Sequence, residues 1–528
     1  SALFNQNFTT ATDAYNVAVG MEAGNSVTTG TLNTLIGGLA GDALTAADSN
    51  TAIGYVALSS DTRGERAIAI GEGALFSQNF ATETNNYNVA LGYNTGYSVT
   101  TGTLNTLIGG LAGDAITTGG SNVALGYFAL TADDVGSKSV AIGTAALGDQ
   151  NLATATDVYN VAVGQEAGRH ITTGIQNTFV GGTTGFSTTD ADFNVAMGYG
   201  ALYTNTLGSK STAIGVSALQ NQNYTTATDS HNTAVGYVAG LSITTGIYNT
   251  LIGGLAGDAL TDADNNVAVG RAALSSDTLG SGSIAIGRNA LVAQNFTTAT
   301  TSYNVAIGDL AGAAVTTSIQ NTLLGGRSGE SLTSGSFNTM VGYLAGGHTV
   351  DTETGTRNTI VGSFSHTSAT DSINQIVLGH DVLGNGDSTL CFGTGTTDSA
   401  IAFGATSITA PSDERYKEDI ADSTAGLSFV NDLRPVTFKW KKEKDVPSDH
   451  RSYVADSDNR VMQSQGETNH GFIAQEVKTA IDAHLEIKDG FDMWSADPTD
   501  GRQRLGSGAL IPILVKAIQE LSAKNDAL

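Results

Sequence analysis

A serine followed five residues later by a lysine is the most chemically pointed feature of this 528-residue chain, in the stretch Ser412-Asp413-Glu414-Arg415-Tyr416-Lys417. A serine hydroxyl is a weak nucleophile until a base takes its proton. Lys417 can be that base only if burial or a cationic neighbour lowers its pKa from the ordinary ~10.4. Arg415 is placed in the sequence to help do that. Asp413 either orients the turn or stabilises Lys417, and both roles stay open at this level. The chemistry would be acyl transfer at a peptide carbonyl, and the bland alternative is a solvated, capped turn.

Little else invites chemistry. The 8 His form no H-E-x-x-H or other ligand pairing, so neither metal nor cofactor is expected. GGLAGDA, at 37–43, 109–115 and 253–259, is glycine-rich but lacks the lysine and the strand-to-helix setting of a phosphate loop. Carboxylates are scattered without the recurring pair of a glycosidase. The single cysteine, Cys391, has no intrachain partner. A formal net charge of −26 makes nucleic acid a poor partner, and no apolar run is long enough to span a membrane.

The elements that must carry this site fall into two kinds. All 5 Pro and both Trp lie at or after 411, whereas 59 of the 66 Gly lie before it. The early part holds 29 acidic against 9 basic residues. It also repeats: Ala2-Leu3 recurs at 74, 146, 218 and 290, an interval of 72 residues. Inside each block a short unit such as NVAVG or NTLIG places Gly20, Gly37, Gly54, Gly71 and Gly92, a spacing of 17, 17, 17 and 21. The rhythm loosens after Gly342. Seventeen residues are too few for helix-pair repeats and suit one coil of a β-solenoid. In NVAVG, Val17 and Val19 share one face and Ala18 the other. The closing glycine supplies a turn, and Asn16, Asn33 and Asn50 stack to hydrogen-bond from coil to coil. The aromatics of the longer coil (Phe4, Phe8, Tyr15; Phe76, Phe80, Tyr87; Phe296, Tyr303) are expected mostly to pack its extra loop against the shaft. At ~4.8 Å per coil, some 23 coils make a shaft about 110 Å long.

SVAIGTAAL (139–147) and STAIGVSAL (211–219) resemble the head repeats of trimeric autotransporter adhesins over roughly residues 14–345. That resemblance implies a left-handed β-roll with three chains side by side. Past the linker ATSITAP, the landmarks SDERYKEDI, GFIAQEV and LVKAIQEL resemble the C-terminal intramolecular chaperone of phage tailspikes, tail fibres and endosialidases. This implies a trimerising, self-cleaving serine peptidase that cuts between Pro411 and Ser412, with Ser412, Lys417 and Asp413 as its catalytic residues. Leu510, Leu514, Ala517 and Leu521 follow the a/d rhythm of a coiled-coil seam in the closing helix, with Pro512 tolerated in its first turn.

The expected architecture is therefore mainly β, a trimeric β-solenoid or β-roll shaft ahead of a small α+β domain. Its parts are a regular shaft over 1–342, an irregular distal β region and linker over 343–411, and the chaperone over 412–528. The expected function is a homotrimeric phage tail fibre contacting a host cell-surface receptor, glycan or outer-membrane protein. Self-cleavage is its only expected enzymatic activity. It would be assembled in the host cytoplasm and carried on the virion, without membrane insertion. The chain opens in mid-repeat, so an upstream part would join it to other tail proteins. The alternatives are a bacterial trimeric surface adhesin and a tailspike depolymerase fragment.

Overall fold

Each glycine-marked coil turns on one short strand. In the coil of Val123–Leu125, Ala124 points inward and is fully buried, while Val123 and Leu125 face out. Gly126 closes it at φ +141, in a region that strongly favours glycine. Stacked coils form one 23-stranded sheet, parallel except for its last strand. The register repeats the sequence period: Val17 pairs with Thr34, Thr34 with Thr51, Thr51 with Ile68, and Ile68 with Val89. This computed structural model describes residues 1–347, 349–395, 397–405, 408–409, 412–449, 452–462, 468–488, 491–497 and 501–527. They form two compact units, Ser1–Pro411 and Ser412–Leu528.

The core of the first unit is a column of small and medium side chains with volumes matched between coils. Where the strand centre is large, as at Leu35, Leu107 or Phe179, nearby coils carry glycine. A Cβ on Gly41 would stand 2.8 Å from Leu35, and one on Gly185 2.6 Å from Phe179. Where the centre is alanine, as at Ala52 or Ala124, a leucine such as Leu58 or Leu130 fills the space. These leucines sit in the left-handed region, φ 55 and 54, so burial of the side chain offsets the backbone cost.

The asparagine column is a continuous ladder. The Asn33 N–H donates to Asn16 Oδ1 at 2.9 Å, and Asn33 Nδ2 donates to the Ala47 carbonyl at 2.8 Å. The pattern continues through Asn50, and again through Asn105 and Asn122. Each long coil needs a different solution, because its ladder position is alanine or serine. There a buried glutamine bridges. Gln150 Nε2 donates to Ser139 Oγ and to Asp133, while its Oε1 accepts from Asn160 Nδ2 at 2.9 Å. Gln78 and Gln294 bridge Asp61 and Asp277 in the same way, whereas the equivalent of the aspartates in the third block is Asn205. The expectation for the long-coil aromatics holds in part. Phe80 and Phe296 are buried with the loop, and Phe76 stacks on Tyr97 at 4.8 Å, but Phe4, Tyr15, Tyr87 and Tyr303 are exposed.

Desolvation raises the carboxyl pKa of buried Asp61 and Asp133 above the usual range. A raised aspartate contributes stability below its unfolded pKa and loses it as pH climbs through the folded one. At neutral pH these positions carry a penalty that the neutral Asn205 lacks. Asp133→Asn is therefore expected to slow shaft unfolding a few-fold at pH 7 in denaturant. The advantage should vanish once the pH falls below the ordinary carboxylate range, and an advantage that is the same at both pH values contradicts the assignment.

Beyond Gly342 the strands lengthen, to Ile376–His380 and Thr389–Thr394. Thr397–Ala402 then folds back antiparallel on Thr389–Thr394. This hairpin closes the exposed end of the parallel stack, where unpaired backbone groups would otherwise recruit another strand.

Among its described residues the second unit has three α-helices, α1 (Leu427–Asp432), α2 (Ala474–Ala483) and α3 (Leu510–Asp526), with two short antiparallel strand pairs. Phe429, Val477, Ile481, Met493, Leu510 and Ile513 form its core. The α3 seam differs from the sequence expectation. Leu510 and Ala517 turn inward with Ile513, while Leu514 and Leu521 face out with Ile511, Val515 and Ile518. The helix is apolar on two sides, so one heptad seam describes neither.

Candidate active site

The peptide around Ser412 is shaped by its own side chains. Asp413 caps the 3-10 turn Glu414–Tyr416, its Oδ1 accepting the Arg415 N–H at 2.9 Å. The guanidinium of Arg415 returns to the same carboxylate, Nε to Oδ1 at 3.0 Å and Nη2 to Oδ2 at 2.6 Å. The Arg415 side-chain bonds, then its backbone N–H, hold the Asp413 carboxyl below its ordinary range. The turn closes with the Lys417 N–H donating to the Glu414 carbonyl at 3.0 Å. One such turn brings residue 417 back beside residue 412, and Lys417 Nζ donates to Ser412 Oγ at 2.7 Å.

Of the site residues expected from sequence, the fold thus brings Ser412 and Lys417 into direct contact. Asp413 is engaged by Arg415 and takes the turn-orienting position. Pro411 lies outside the described residues. In this contact the lysine donates to the hydroxyl. For general-base work the contact must reverse, with a neutral amine accepting the hydroxyl proton. Ser412 and Lys417 are both exposed in the single chain.

Sequence reasoning passed over His484, whose partners are remote in the chain. Its Nε2 meets Asp432 Oδ2 at 2.8 Å and its Nδ1 meets Glu486 Oε1 at 3.0 Å, tying the end of α2 to the end of α1. At the other end of α1, Glu520 of α3 accepts the Leu427 N–H at 2.9 Å. The bond to Asp432, then that to Glu486, raises the His484 pKa. This stability is fully present below the unfolded value of ~6.5 and is lost as pH rises through the folded one. Both tryptophans, Trp440 and Trp494, lie in this unit. Its denaturation in the intact chain can therefore be followed by tryptophan fluorescence. The midpoint is expected to drop as pH rises above the ordinary histidine range, and His484→Gln should flatten that dependence. An unchanged slope in the variant would remove histidine as its source.

Residues 412–486 match the family described as chaperone of endosialidase. The match begins at Ser412 itself. No curated protein and no solved structure matches the chain. A chaperone-family segment behind a β-solenoid shaft fits a tail fibre or tailspike with a C-terminal chaperone domain. The family suggests a phage-associated protein and trimeric assembly. Among the described residues no helix is long and apolar enough to cross a membrane, and no cluster of three His, Cys, Asp or Glu is placed to hold a metal.

Proposed function

We propose that the chain is a homotrimeric phage tail fibre, a host-adhesion protein of the virion. In this reading its C-terminal unit draws three copies together, guides the shaft into register, and then cuts itself off between Pro411 and Ser412. The observation that carries the cleavage step is the 2.7 Å contact between Lys417 and Ser412, at the first residue of the chaperone-family match. Lys417 as base takes the hydroxyl proton, and Ser412 Oγ attacks the carbonyl carbon of Pro411. The C–N bond breaks, the proton passes to the freed Ser412 amine, and an ester joins Pro411 to Ser412 Oγ. Water then hydrolyses the ester, leaving a carboxyl at Pro411 and restoring the serine hydroxyl. Two further copies would shield Lys417 from water, so cleavage follows assembly.

Trimerisation is supported by two uncovered apolar faces. Across the twenty three-residue strands of the sheet, from Val17–Val19 to Thr359–Val361, every outward residue is Thr, Val, Ile, Leu or Met. Leu91, Leu125 and Leu324 remain 42, 44 and 43 % exposed. Like residues of symmetric copies meet near a common axis, where a charge would face its own image, and this face has none. On α3 the second face comprises Ile511, Leu514, Val515, Ile518 and Leu521.

Receptor contact is assigned to 343–411, which becomes the distal end once the last unit leaves. Its exposed Phe392, Phe403 and Ile408 break the repeated surface of the shaft. The test is sedimentation of the purified protein beside a denaturing gel. A trimer whose 53.8 kDa chain resolves into pieces of 411 and 117 residues supports the reading. A well-folded monomer at micromolar concentration overturns the assembly.

A further inference from the structure

The residues that immediately follow the closing glycines form a column along the shaft. Its 72-residue register is strict at one place, where the column holds Gly38, Gly110, Gly182, Gly254 and Gly326. One coil later stand Tyr55, Tyr127, Tyr199, Arg271 and Tyr343. The four tyrosines lean back over the glycines. A Cβ on Gly38 would lie 3.4 Å from the Tyr55 ring, and one on Gly326 3.4 Å from that of Tyr343. On Gly254, whose follower is arginine, a Cβ would meet only a backbone oxygen at 3.9 Å. The bare glycine thus forms the floor on which a ring rests. Tyr55, Tyr127 and Tyr199 are 54, 53 and 65 % exposed, and Phe128 packs edge-on against Tyr127 with ring centroids 4.1 Å apart.

Unlike the neighbouring sheet face, this column carries charge, at Glu72, Arg271, Arg288 and Asp309. Near the axis of a symmetric trimer Glu72 and Arg271 would face their own images, whereas Arg288 and Asp309 pair with each other at 2.8 Å. The column therefore stays in solvent when the sheet face is covered. Tyr55, Tyr127 and Tyr199 recur every four coils, about 19 Å apart along the axis, and Tyr343 stands eight coils beyond Tyr199.

We propose that these tyrosines are stacking platforms for an extended, uncharged polysaccharide lying along the shaft. This rests on the host-adhesion reading and names its partner class. An aromatic face is a good surface for the C–H face of a pyranose ring, being apolar and electron-rich. Groups one coil further along the column, Glu72, Thr144 and Ser363, follow Tyr55, Tyr127 and Tyr343 and offer oxygens to sugar hydroxyls. With 29 acidic against 9 basic residues, this part of the chain repels polyanions and selects neutral chains. A periodic polymer meets several platforms at once, so weak single contacts add through effective concentration.

The test is affinity electrophoresis of the intact protein in gels containing dextran, mannan, galactan or, as the anionic contrast, polysialic acid. Retardation by at least one neutral polymer and none by polysialic acid is expected. Joint replacement of Tyr55, Tyr127, Tyr199 and Tyr343 by alanine should weaken it at least tenfold, and Tyr127→Ala alone only a few-fold. Arg271 already occupies the equivalent place without a ring, so folding tolerates the loss, and Arg271→Tyr should strengthen binding. No retardation of the wild type by any neutral polymer overturns the proposal. So does unchanged retardation of the fourfold variant, or its dissociation into monomers, which would place the rings between copies. Sedimentation reads the assembly separately. A monomeric wild type whose retardation depends on the tyrosines would overturn the trimer and leave the platforms standing.

Discussion

Ser412→Ala should accumulate as an intact 528-residue chain under conditions in which the wild type is processed, with assembly and shaft unchanged. The Ser412 hydroxyl supplies the ester oxygen, so the loss should be complete on a gel. Lys417→Ala is expected to lower the cleavage rate by about 10²–10⁴-fold, the usual contribution of a positioned base. Lys417→Arg is the sharper variant. A guanidinium keeps the charge and can still reach the hydroxyl, but it does not give up its proton. If the contact at 2.7 Å works only by holding Ser412 in place, arginine restores cleavage. If Lys417 is the base, arginine fails as alanine does. Asp413→Asn keeps a capping oxygen for the Arg415 N–H and loses the ion pair, so a modest slowing is expected. Continued cleavage of Ser412→Ala would falsify the peptidase assignment and leave the chaperone role intact.

The features legible in the sequence are those imposed by local geometry at fixed spacing. Gly20, Gly37 and Gly54 declare themselves because backbone at φ +134 to +139 excludes other residues, and the next coil repeats the demand 17 residues on. Asn16, Asn33 and Asn50 are visible for the same reason, since each must answer the one before. The Ser412–Lys417 contact was legible too, because a single turn spans it. What stayed hidden depends on partners remote in sequence or on volume. No propensity places Leu58 or Leu130 in a left-handed conformation, and only the space beside Ala52 and Ala124 explains them. Gln150 reads as a polar loop residue until Asp133, Ser139 and Asn160 converge on it. His484 finds Asp432 across 52 residues, which no motif announces. Along α3, the 4, 3, 4 spacing of Leu510, Leu514, Ala517 and Leu521 merges residues from two faces, because the helix has one apolar side for its own unit and another left uncovered.

Gly126→Ala should damage the shaft far more than Gly254→Ala, although both glycines lie in regular coils. At φ +141 an L side chain is strained whatever room it has. Room is also missing, since the new Cβ would lie 2.5 Å from the Gly143 carbonyl oxygen and 2.6 Å from its carbon. The coil cannot back away, because the Gly126 N–H donates to the Ile108 carbonyl at 2.8 Å and Val123–Leu125 is paired on both sides. Strain and overlap together are expected to cost about 3 kcal/mol or more. Gly254 has neither problem, as its φ lies outside the left-handed region and its Cβ position is nearly open. Its replacement should cost well under about 1 kcal/mol. In a solenoid each coil touches only its neighbours, so the Gly126 lesion should be local. Limited proteolysis is expected to nick Gly126→Ala between about residues 108 and 143 while more distant coils resist. Equal proteolytic resistance in the two variants would mean that the coils relax enough to admit a side chain, and the glycine column would then be a preference rather than a requirement.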